Sequence, residues 1–189
     1  MNKQKYLEKY FSTLRDIISF DNEKISNLIK VSEILVETKK KGRKTMIFGN
    51  GGSSAIASHF SVDLTKNAGV RCTNYNETDL ITCFSNDFGY ERWVEKTIEF
   101  YGDPGDVVIL ISSSGNSQNM LNGAMKAKEL KFSNIITLTG NNIDNKLNKL
   151  GNINFWIDSK AYNLIENAHQ ALLLSIVDLI IGKSEYPPN

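Results

Sequence analysis

The chain has 189 residues, a length that suits one domain or one domain with a helical extension. Hydrophobic residues make up 41% and charged residues 23%, a balance typical of a folded globular protein and not of a disordered chain. With 22 Lys and Arg against 21 Asp and Glu the net charge is +1, which argues against a nucleic-acid partner or a polybasic membrane anchor. Cys72 and Cys83 are too few for a disulfide framework and lack zinc-finger spacing, so we expect reduced thiols in a cytoplasmic protein.

Neither end of the chain is typical of a membrane or targeting segment. The N-terminus mixes charged and apolar residues and has no apolar signal core. The longest apolar stretch, Ala171 to Ile181, is about half as long as a membrane span requires and contains Asp178. We therefore expect a buried helix there and no membrane partner.

The first 41 residues are predicted to form two helices. Asp21 is a typical N-cap for the second, which apolar residues follow at helical spacing until Gly42. The first has an apolar stripe broader than docking on one small sheet needs, made of Tyr10, Phe11, Leu14, Ile17 and Ile18. We assign residues 1–41 to an N-terminal helical extension of the same domain, used in oligomerisation, and 42–189 to the main domain.

Beyond Gly42, short apolar runs alternate with longer helical patterns. The runs are rich in β-branched or aromatic residues: Thr45–Phe48, Val107–Ile111, Asn134–Thr139, Ile153–Ile157 and a weaker one near Arg71. The helical patterns lie near residues 53–66, 77–86, 91–100, 117–130 and 164–181. Continuous apolar strands separated by helices indicate right-handed crossovers and a parallel sheet covered on both faces. The predicted fold class is α/β: a doubly wound, parallel five-stranded sheet in a flavodoxin-like three-layer αβα arrangement, with an N-terminal helical pair.

The first predicted strand is followed by a glycine-rich loop, Gly49 to Ser54. Its glycines allow positive φ and a close backbone approach, and Ser53 falls where a helix begins. The loop lacks the sixth-position glycine of a dinucleotide fingerprint, which disfavours a dehydrogenase, and it lacks the Gly-Lys-Ser/Thr of a Walker loop. A simple tight turn remains the alternative interpretation.

A serine-rich loop follows the strand Val107–Ile111. Its four serines surround Gly115 at the start of a helical pattern: Ser112, Ser113, Ser114 and Ser117. Hydroxyls and free backbone N–H groups at a helix N-terminus suit a phosphate monoester. The alternative is a serine-rich turn in which Ser117 only caps the helix.

Two helical patterns contain the candidate proton-transfer residues. His59 precedes Asp63 by one helical turn, and Glu166 precedes His169 by three residues, so each pair shares a helix face. The combination resembles a carboxylate and imidazole metal set, although such spacings arise readily by chance. The alternative is that Asp63 and Glu166 are solvated and that His169 is packed in the core.

Three motifs occur in order along the chain: FGNGGSSAIASHF, FSNDFGYERW and ISSSGNS. On these residues the chain resembles the sugar isomerase (SIS) family, and within it the phosphoheptose isomerases (sedoheptulose 7-phosphate isomerases), from about Lys44 to Gly182. The resemblance implies a phosphorylated sugar substrate, no nucleotide cofactor, a role in making surface-polysaccharide precursors, and a homotetramer with active sites between subunits. The substrate residues it implies are Asn50, Gly51, Ser53, Asn86, Asp87, Ser112, Ser114 and Ser117.

The resemblance also implies a metal and an acid/base set from which this chain departs. Family members carry His, Glu, Gln and His as metal ligands, often for zinc, at the positions of His59, Asp63, Glu166 and Leu174. Asp63 is shorter than Glu by one methylene, and Leu174 can neither bind a metal nor transfer a proton. Leu164 also replaces an expected Arg. Zinc is therefore the cofactor that the resemblance suggests, with His59, Asp63 and Glu166 as its ligands.

Three functional hypotheses remain open at this point. In the first, the protein isomerises a sugar phosphate, with Asp63, Glu166 and His169 as the catalytic residues. In the second, it acts on a different phosphosugar. In the third, it binds a phosphosugar or a protein partner without catalysis, as in an SIS branch that resembles the initiator-associating proteins of bacterial replication.

Overall fold

A computed structural model describes residues 1–185 of the chain. The α-helices in this part are α1 (Lys3–Ile17), α2 (Asn22–Lys40), α3 (Gly52–Lys66), α4 (Thr78–Phe88), α5 (Trp93–Tyr101), α6 (Gln118–Glu129) and α7 (Tyr162–Ile181). The strands are β1 (Thr45–Gly49), β2 (Cys72–Thr73), β3 (Val107–Ser112), β4 (Asn134–Thr139) and β5 (Ile153–Trp156). Short 3-10 helices at Tyr90–Arg92 and Leu147–Lys149 complete the order.

The strands form one parallel sheet in the order β2-β1-β3-β4-β5. This confirms the predicted α/β class and its five-stranded doubly wound sheet. The chain proceeds from β1 to one edge through β2, then to the other through β3, β4 and β5. The order therefore reverses between β1 and β3, and ligands bind at such a point beyond the carboxyl ends of the strands. Gly49 is paired with Ile111, so the loops after β1 and β3 begin side by side.

Two apolar clusters lie on opposite faces of the sheet, because alternate residues of each buried strand point to opposite sides. Ile47, Ile109 and Phe155 belong to the first cluster, which α3 and α7 cover. Phe48 and Leu110 belong to the second, which α5 and α6 cover. Both sides of the central strands are thus dry, which explains why their sequences are apolar without alternation.

The N-terminal helices differ in how much they contribute to this core. Asp21 caps α2 as predicted, with its carboxylate accepting the Lys24 N–H at 2.8 Å. Val31 and Leu35 of α2 are fully buried in the first cluster. In α1 no residue is buried. The predicted use of residues 1–41 in oligomerisation, and the boundary at residue 42, stay predictions.

Helix α7 is long and apolar enough to cross a membrane by length and composition. One face of the helix nevertheless packs inside the protein: Leu172, Leu173, Ile176 and Val177 are among its buried residues and lie in the first core cluster. The expected buried helix at Ala171 to Ile181 is therefore present as the second half of α7. The last residues of the main domain, 186–189, lie outside the described part.

Candidate active site

The crevice between the carboxyl ends of β1 and β3 is where the predicted loops meet. Each loop begins directly after its strand and leads into a helix, α3 after β1 and α6 after β3. The first N–H groups of both helices have no partner within the helix and carry the positive end of its dipole. The sheet topology alone therefore places the N-termini of α3 and α6, with their N–H donors, beside the same crevice.

The glycine loop makes a tight turn into α3. Gly51 has φ of 55°, which favours glycine, and the Ser53 and Ser54 N–H groups bond to the carbonyls of Asn50 and Gly51 at 3.0 Å. A Cβ on Gly49 would overlap the backbone of Ser53. The end of β1 and the start of α3 are therefore packed too closely for a residue with a side chain at position 49.

In the serine loop, three hydroxyls converge. Ser112 Oγ donates to Ser117 Oγ at 3.0 Å and lies 3.5 Å from Ser114 Oγ. Ser117 is the N-cap residue of α6, but its hydroxyl makes no capping hydrogen bond. The simple capping alternative therefore fails, because the Ser117 hydroxyl is directed into the cluster instead of to the helix.

Ser113 and Gly115 hold the shape of this loop. The Ser113 hydroxyl is buried and has no hydrogen-bond partner within residues 1–185, while its carbonyl accepts the Gly140 N–H at 3.1 Å. Gly115 has φ of 66°, and a Cβ there would collide with the side chain of Asn145. Ser113 therefore stays a predicted phosphate contact, and the structure places the other three hydroxyls together without it.

A pair of amides joins the two loops. Asn50 Nδ2 donates to Asn119 Oδ1 at 3.1 Å, and Asn119 Nδ2 donates back to Asn50 Oδ1 at 2.8 Å. Tyr90, in the 3-10 helix after α4, donates its hydroxyl to the same Asn50 oxygen at 3.0 Å. Asn50 at the end of β1 is therefore held by α6 and by the segment that follows α4.

Asn86 and Asp87 lie near the end of α4 and are exposed. Asn86 Nδ2 donates to Asp87 Oδ1 at 2.9 Å, so the two side chains bond to each other. Tyr90, three residues beyond Asp87, supplies the hydrogen bond between this segment and the glycine loop. Substrate contact by Asn86 and Asp87 stays a prediction.

Glu166 of α7 lies at the glycine loop. Its carboxylate lies directly against Gly52, where a Cβ would overlap it. Gly52 is the first residue of α3, and a negative charge is stabilised at the positive end of a helix dipole. Glu166 and Gly52 also line a cleft of about 230 Å³ together with Ala55, Ile56, Asn163, Asn167 and Gln170.

His59 and Asp63 lie farther along α3. His59 Nε2 is 3.3 Å from Asp63 Oδ2, which confirms that the two side chains share a helix face. Asp63 is eleven residues after Gly52, about 16 Å along the helix axis, so Glu166 does not face it.

The zinc set of His59, Asp63 and Glu166 is not assembled. Both ring nitrogens of His59 have protein partners: Nε2 faces Asp63, and Nδ1 lies 2.7 Å from Gln170 Nε2. Within residues 1–185 no three His, Cys, Asp or Glu side chains are grouped so that they could hold a metal ion. As arranged, these residues do not fit a zinc centre, and we derive no catalytic step through one.

His169 is not a substrate-facing residue, which corrects its prediction as catalytic. The side chain is fully buried, and its Nε2 lies 3.1 Å from the Thr139 carbonyl oxygen, to which the neutral ring donates. Burial lowers its pKa from 6.5 to about 4, although the bond to Thr139 opposes the shift. The core interpretation was right, because the α7 face that carries His169 packs on the sheet.

Several residues of the site were missed by sequence reasoning. Asn119, Tyr90, Asn145 and Gln170 all contact a predicted residue or loop, yet each lies far from its partner along the chain. Tyr90 lies within the recognised motif FSNDFGYERW, and Asn119 lies two residues after ISSSGNS. Proximity to these motifs was the only indication in the sequence that they belong to the site, because a single amide or phenol side chain does not by itself indicate a function.

Fold and crevice together define a class of protein. The SIS domain family matches residues 6–140, and the chain belongs to this family.

Within the family, the chain is similar to phosphoheptose isomerases. It is 37% identical over 150 residues to the phosphoheptose isomerase of Aliarcobacter butzleri, covering 75% of this chain and 77% of that protein. It is 34% identical over 169 residues to that of Buchnera aphidicola, covering 86% of each. The solved structure of a phosphoheptose isomerase from Francisella tularensis has the same fold, with a TM-score of 0.86 over 97% of this chain and all of that one at 22% identity.

Proposed function

We propose that this chain is an aldose–ketose isomerase of phosphoheptose isomerase type. Its substrate pair would be sedoheptulose 7-phosphate and D-glycero-D-manno-heptose 7-phosphate, or a related phosphosugar. The observation that carries the proposal is the convergence of the Ser112, Ser114 and Ser117 hydroxyls beside the glycine loop on which the Glu166 carboxylate lies. The identities of 37% and 34% to proteins named phosphoheptose isomerase support the same reaction class.

The serine loop would bind the phosphate. Its hydroxyls donate hydrogen bonds, and the first N–H groups of α6 add backbone donors at the positive end of a helix dipole. Neutral donors of this kind need no lysine. A phosphate anchored there sets the sugar's other end toward the glycine loop, one strand away.

Glu166 is our choice for the base. Isomerisation moves a proton between C1 and C2 through an enediolate, which requires a group able to accept and return that proton. Asp63 is engaged with His59, and His169 is sealed in the core. Glu166 is the carboxylate that lies at the glycine loop and lines an open cleft.

We also propose that the protein works as a cytoplasmic homotetramer with two-fold axes, in surface-polysaccharide precursor synthesis. The apolar surface of α1 supports association, because Tyr6, Leu7 and Phe11 are each more than half exposed. Light scattering at moderate salt tests the assembly. A particle of monomer mass would contradict it.

A second candidate function is phosphosugar binding without turnover. Leu174 stands where the family's late-helix histidine is expected, and the buried His169 cannot replace it. Both observations favour a binding or regulatory module that retains only the phosphate half of the site. The same three serines would then serve recognition alone.

One experiment separates the two functions. Purified protein is incubated with sedoheptulose 7-phosphate in D₂O and the products are followed by NMR. Deuterium at C1 or C2 supports the enediolate mechanism and the isomerase. Saturable binding without exchange supports the binding module, and no binding at all contradicts both.

A further inference from the structure

The neighbours of Asn50 indicate its amide polarity, that is, which side of the group carries the oxygen and which the nitrogen. The Met120 backbone N–H donates to Asn119 Oδ1 at 3.1 Å, and a backbone N–H can only donate. The same N–H also donates to the Ser117 carbonyl at 3.0 Å, and this shared hydrogen favours an oxygen over a nitrogen as the Asn119 atom that faces it. Because Asn119 pairs with Asn50 reciprocally, the remaining Asn119 nitrogen faces an Asn50 oxygen, and the Asn50 nitrogen faces Asn119 Oδ1.

The Asn50 oxygen is fully used by this arrangement. It accepts from Asn119 Nδ2 at 2.8 Å and from the Tyr90 hydroxyl at 3.0 Å, one donor for each lone pair. The Asn50 nitrogen gives one hydrogen to Asn119. Among residues 1–185 its second hydrogen has no acceptor. Asn50 can thus offer a ligand in the crevice a donor and cannot offer an acceptor.

The location of this donor matters for the reaction. Asn50 follows β1 directly and stands beside Ser112 across the reversal of strand order, two residues before Gly52, against which the Glu166 carboxylate lies. Asn119 is 2% exposed, so the amide pair is anchored in the protein interior. A fixed donor needs no reorganisation when charge develops on a nearby oxygen, which is the condition for stabilising an enediolate.

We propose that Asn50 donates to the sugar oxygen that becomes negatively charged in the enediolate, and that Asn119 and Tyr90 are positioning residues that keep its N–H group facing that oxygen. The inference rests on the isomerase function proposed above and adds to it the stabilising donor and the two residues that set its polarity. Without Asn119 the Asn50 amide can rotate and present its carbonyl oxygen, which repels the developing charge.

The test compares two ligands that share a phosphate and a carbon chain. The hydroxamate 5-phospho-D-arabinonohydroxamate mimics the charged enediolate, whereas D-arabinitol 5-phosphate does not. Calorimetry measures the dissociation constant of each for the wild type, Asn50→Asp, Asn119→Leu and Tyr90→Phe. Tyr90 is about half exposed, so its variant keeps the test available if Asn119→Leu fails to fold.

The matched control is Asn122→Ala. Asn122 lies one turn after Asn119 on α6, and its amide donates to the Glu91 carbonyl at 2.8 Å, a second link between α6 and the 3-10 helix that does not involve Asn50. If these links only stabilise the fold, Asn122→Ala and Asn119→Leu will change binding alike.

We expect the wild type to bind the hydroxamate at least about tenfold more tightly than the alditol. Asn50→Asp should abolish that preference, Asn119→Leu should reduce it about tenfold, and Tyr90→Phe about threefold, with alditol binding unchanged. Asn122→Ala should retain it. The proposal is overturned by a wild type that binds the hydroxamate no better than the alditol, or by a preference that survives both positioning variants.

These outcomes are separate from the test of the proposed function. A wild type that prefers the hydroxamate but shows no deuterium exchange would contradict the isomerase and the catalytic role of Asn50, while a preference lost in the positioning variants would still support the donor polarity of Asn50. Deuterium exchange together with a hydroxamate preference that the variants do not change would support the isomerase and contradict the role of Asn50.

Discussion

The amino and carboxyl ends of the same strands use polar groups in opposite ways. At the amino ends, the fully buried Asp106 carboxylate accepts from Lys44 Nζ at 2.6 Å, from the Lys44 N–H at 3.1 Å and from the Asp103 N–H at 2.9 Å. Burial lowers the pKa of Lys44, but its bonds to Asp103 and Asp106 outweigh this and raise the pKa overall. The charges of Lys44, Asp103 and Asp106 are all paired within this network, which is therefore closed.

At the carboxyl ends, the polar groups keep some of their hydrogen-bonding capacity free for a ligand. Serine hydroxyls bond to each other, the Asn50 amide retains one hydrogen, and the Glu166 carboxylate lines an open cleft. A closed network stabilises the fold, whereas an open one has groups left for a ligand. The comparison therefore predicts that substitutions at the amino ends change stability and that those at the carboxyl ends change function.

The largest effect is expected for Glu166→Gln. Losing a general base costs about 10²- to 10⁴-fold in rate, so kcat should fall by that factor while substrate binding is retained. Steady-state kinetics on sedoheptulose 7-phosphate measure it. Asn167→Ala, which changes the next residue of the same cleft wall, is the control and should stay near the wild type. A kcat unchanged by Glu166→Gln would remove Glu166 from proton transfer.

At the amino ends, Asp106→Asn should destabilise the protein by about 3 kcal/mol, because a buried amide cannot accept all the hydrogen bonds of the carboxylate, although Lys44 retains its ion pair with Asp103. Urea unfolding measures the loss. Binding of a phosphosugar to the folded variant should equal that of the wild type. Weakened binding with unchanged stability would contradict the assignment of stability to the amino ends of the strands and of ligand binding to their carboxyl ends.

The buried His169 predicts a pH dependence of the stability of the fold. Its folded-state pKa of about 4 lies below the usual 6.5, so the unfolded chain binds more protons between these values. The free energy of unfolding is therefore highest above pH 6.5 and falls by roughly 3 kcal/mol as the pH drops toward 4. His169→Gln keeps a donor for Thr139 but does not titrate. Its unfolding curve should lose this slope, and an identical slope in both proteins would refute the assignment.

Ser114→Ala combined with Ser117→Ala tests the phosphate site. Removing two hydroxyl donors should weaken binding of a sugar phosphate by roughly 2 kcal/mol, about thirtyfold. The weaker binding of the matching neutral sugar should hardly change. Calorimetry with both ligands decides the matter, since an equal loss for both would mean that the loop does not recognise phosphate.

The smallest effect is expected from a chelator. Both ring nitrogens of His59 are engaged and Glu166 lies elsewhere, so turnover after dialysis against EDTA should stay within about twofold of the untreated rate. Elemental analysis of the dialysed protein accompanies the assay. Activity that disappears on chelation and returns with zinc would show that these side chains rearrange into a metal site.

The sequence by itself determined the elements and the position of the site. Apolar runs such as Asn134–Thr139 and helical periods such as that of α2 reflect local geometry and burial, which each segment carries in its own residues. Alternation of strands and helices requires parallel crossovers, and these bring the loops at Gly49 and Ser112 to one edge of the sheet. Fold class and phosphate loop were therefore predictable without coordinates.

Only the tertiary structure decided which side chains meet. Asn50 and Asn119 are 69 residues apart, and His59 and Gln170 are 111 apart, distances over which no local pattern signals a contact. The rotation of α7 about its axis turns Glu166 toward Gly52 and His169 into the core, although both have helical spacing suited to one face. That rotation is set by how the apolar side chains of α7 pack against α3 and the sheet, a property of the whole core and not of the helix alone.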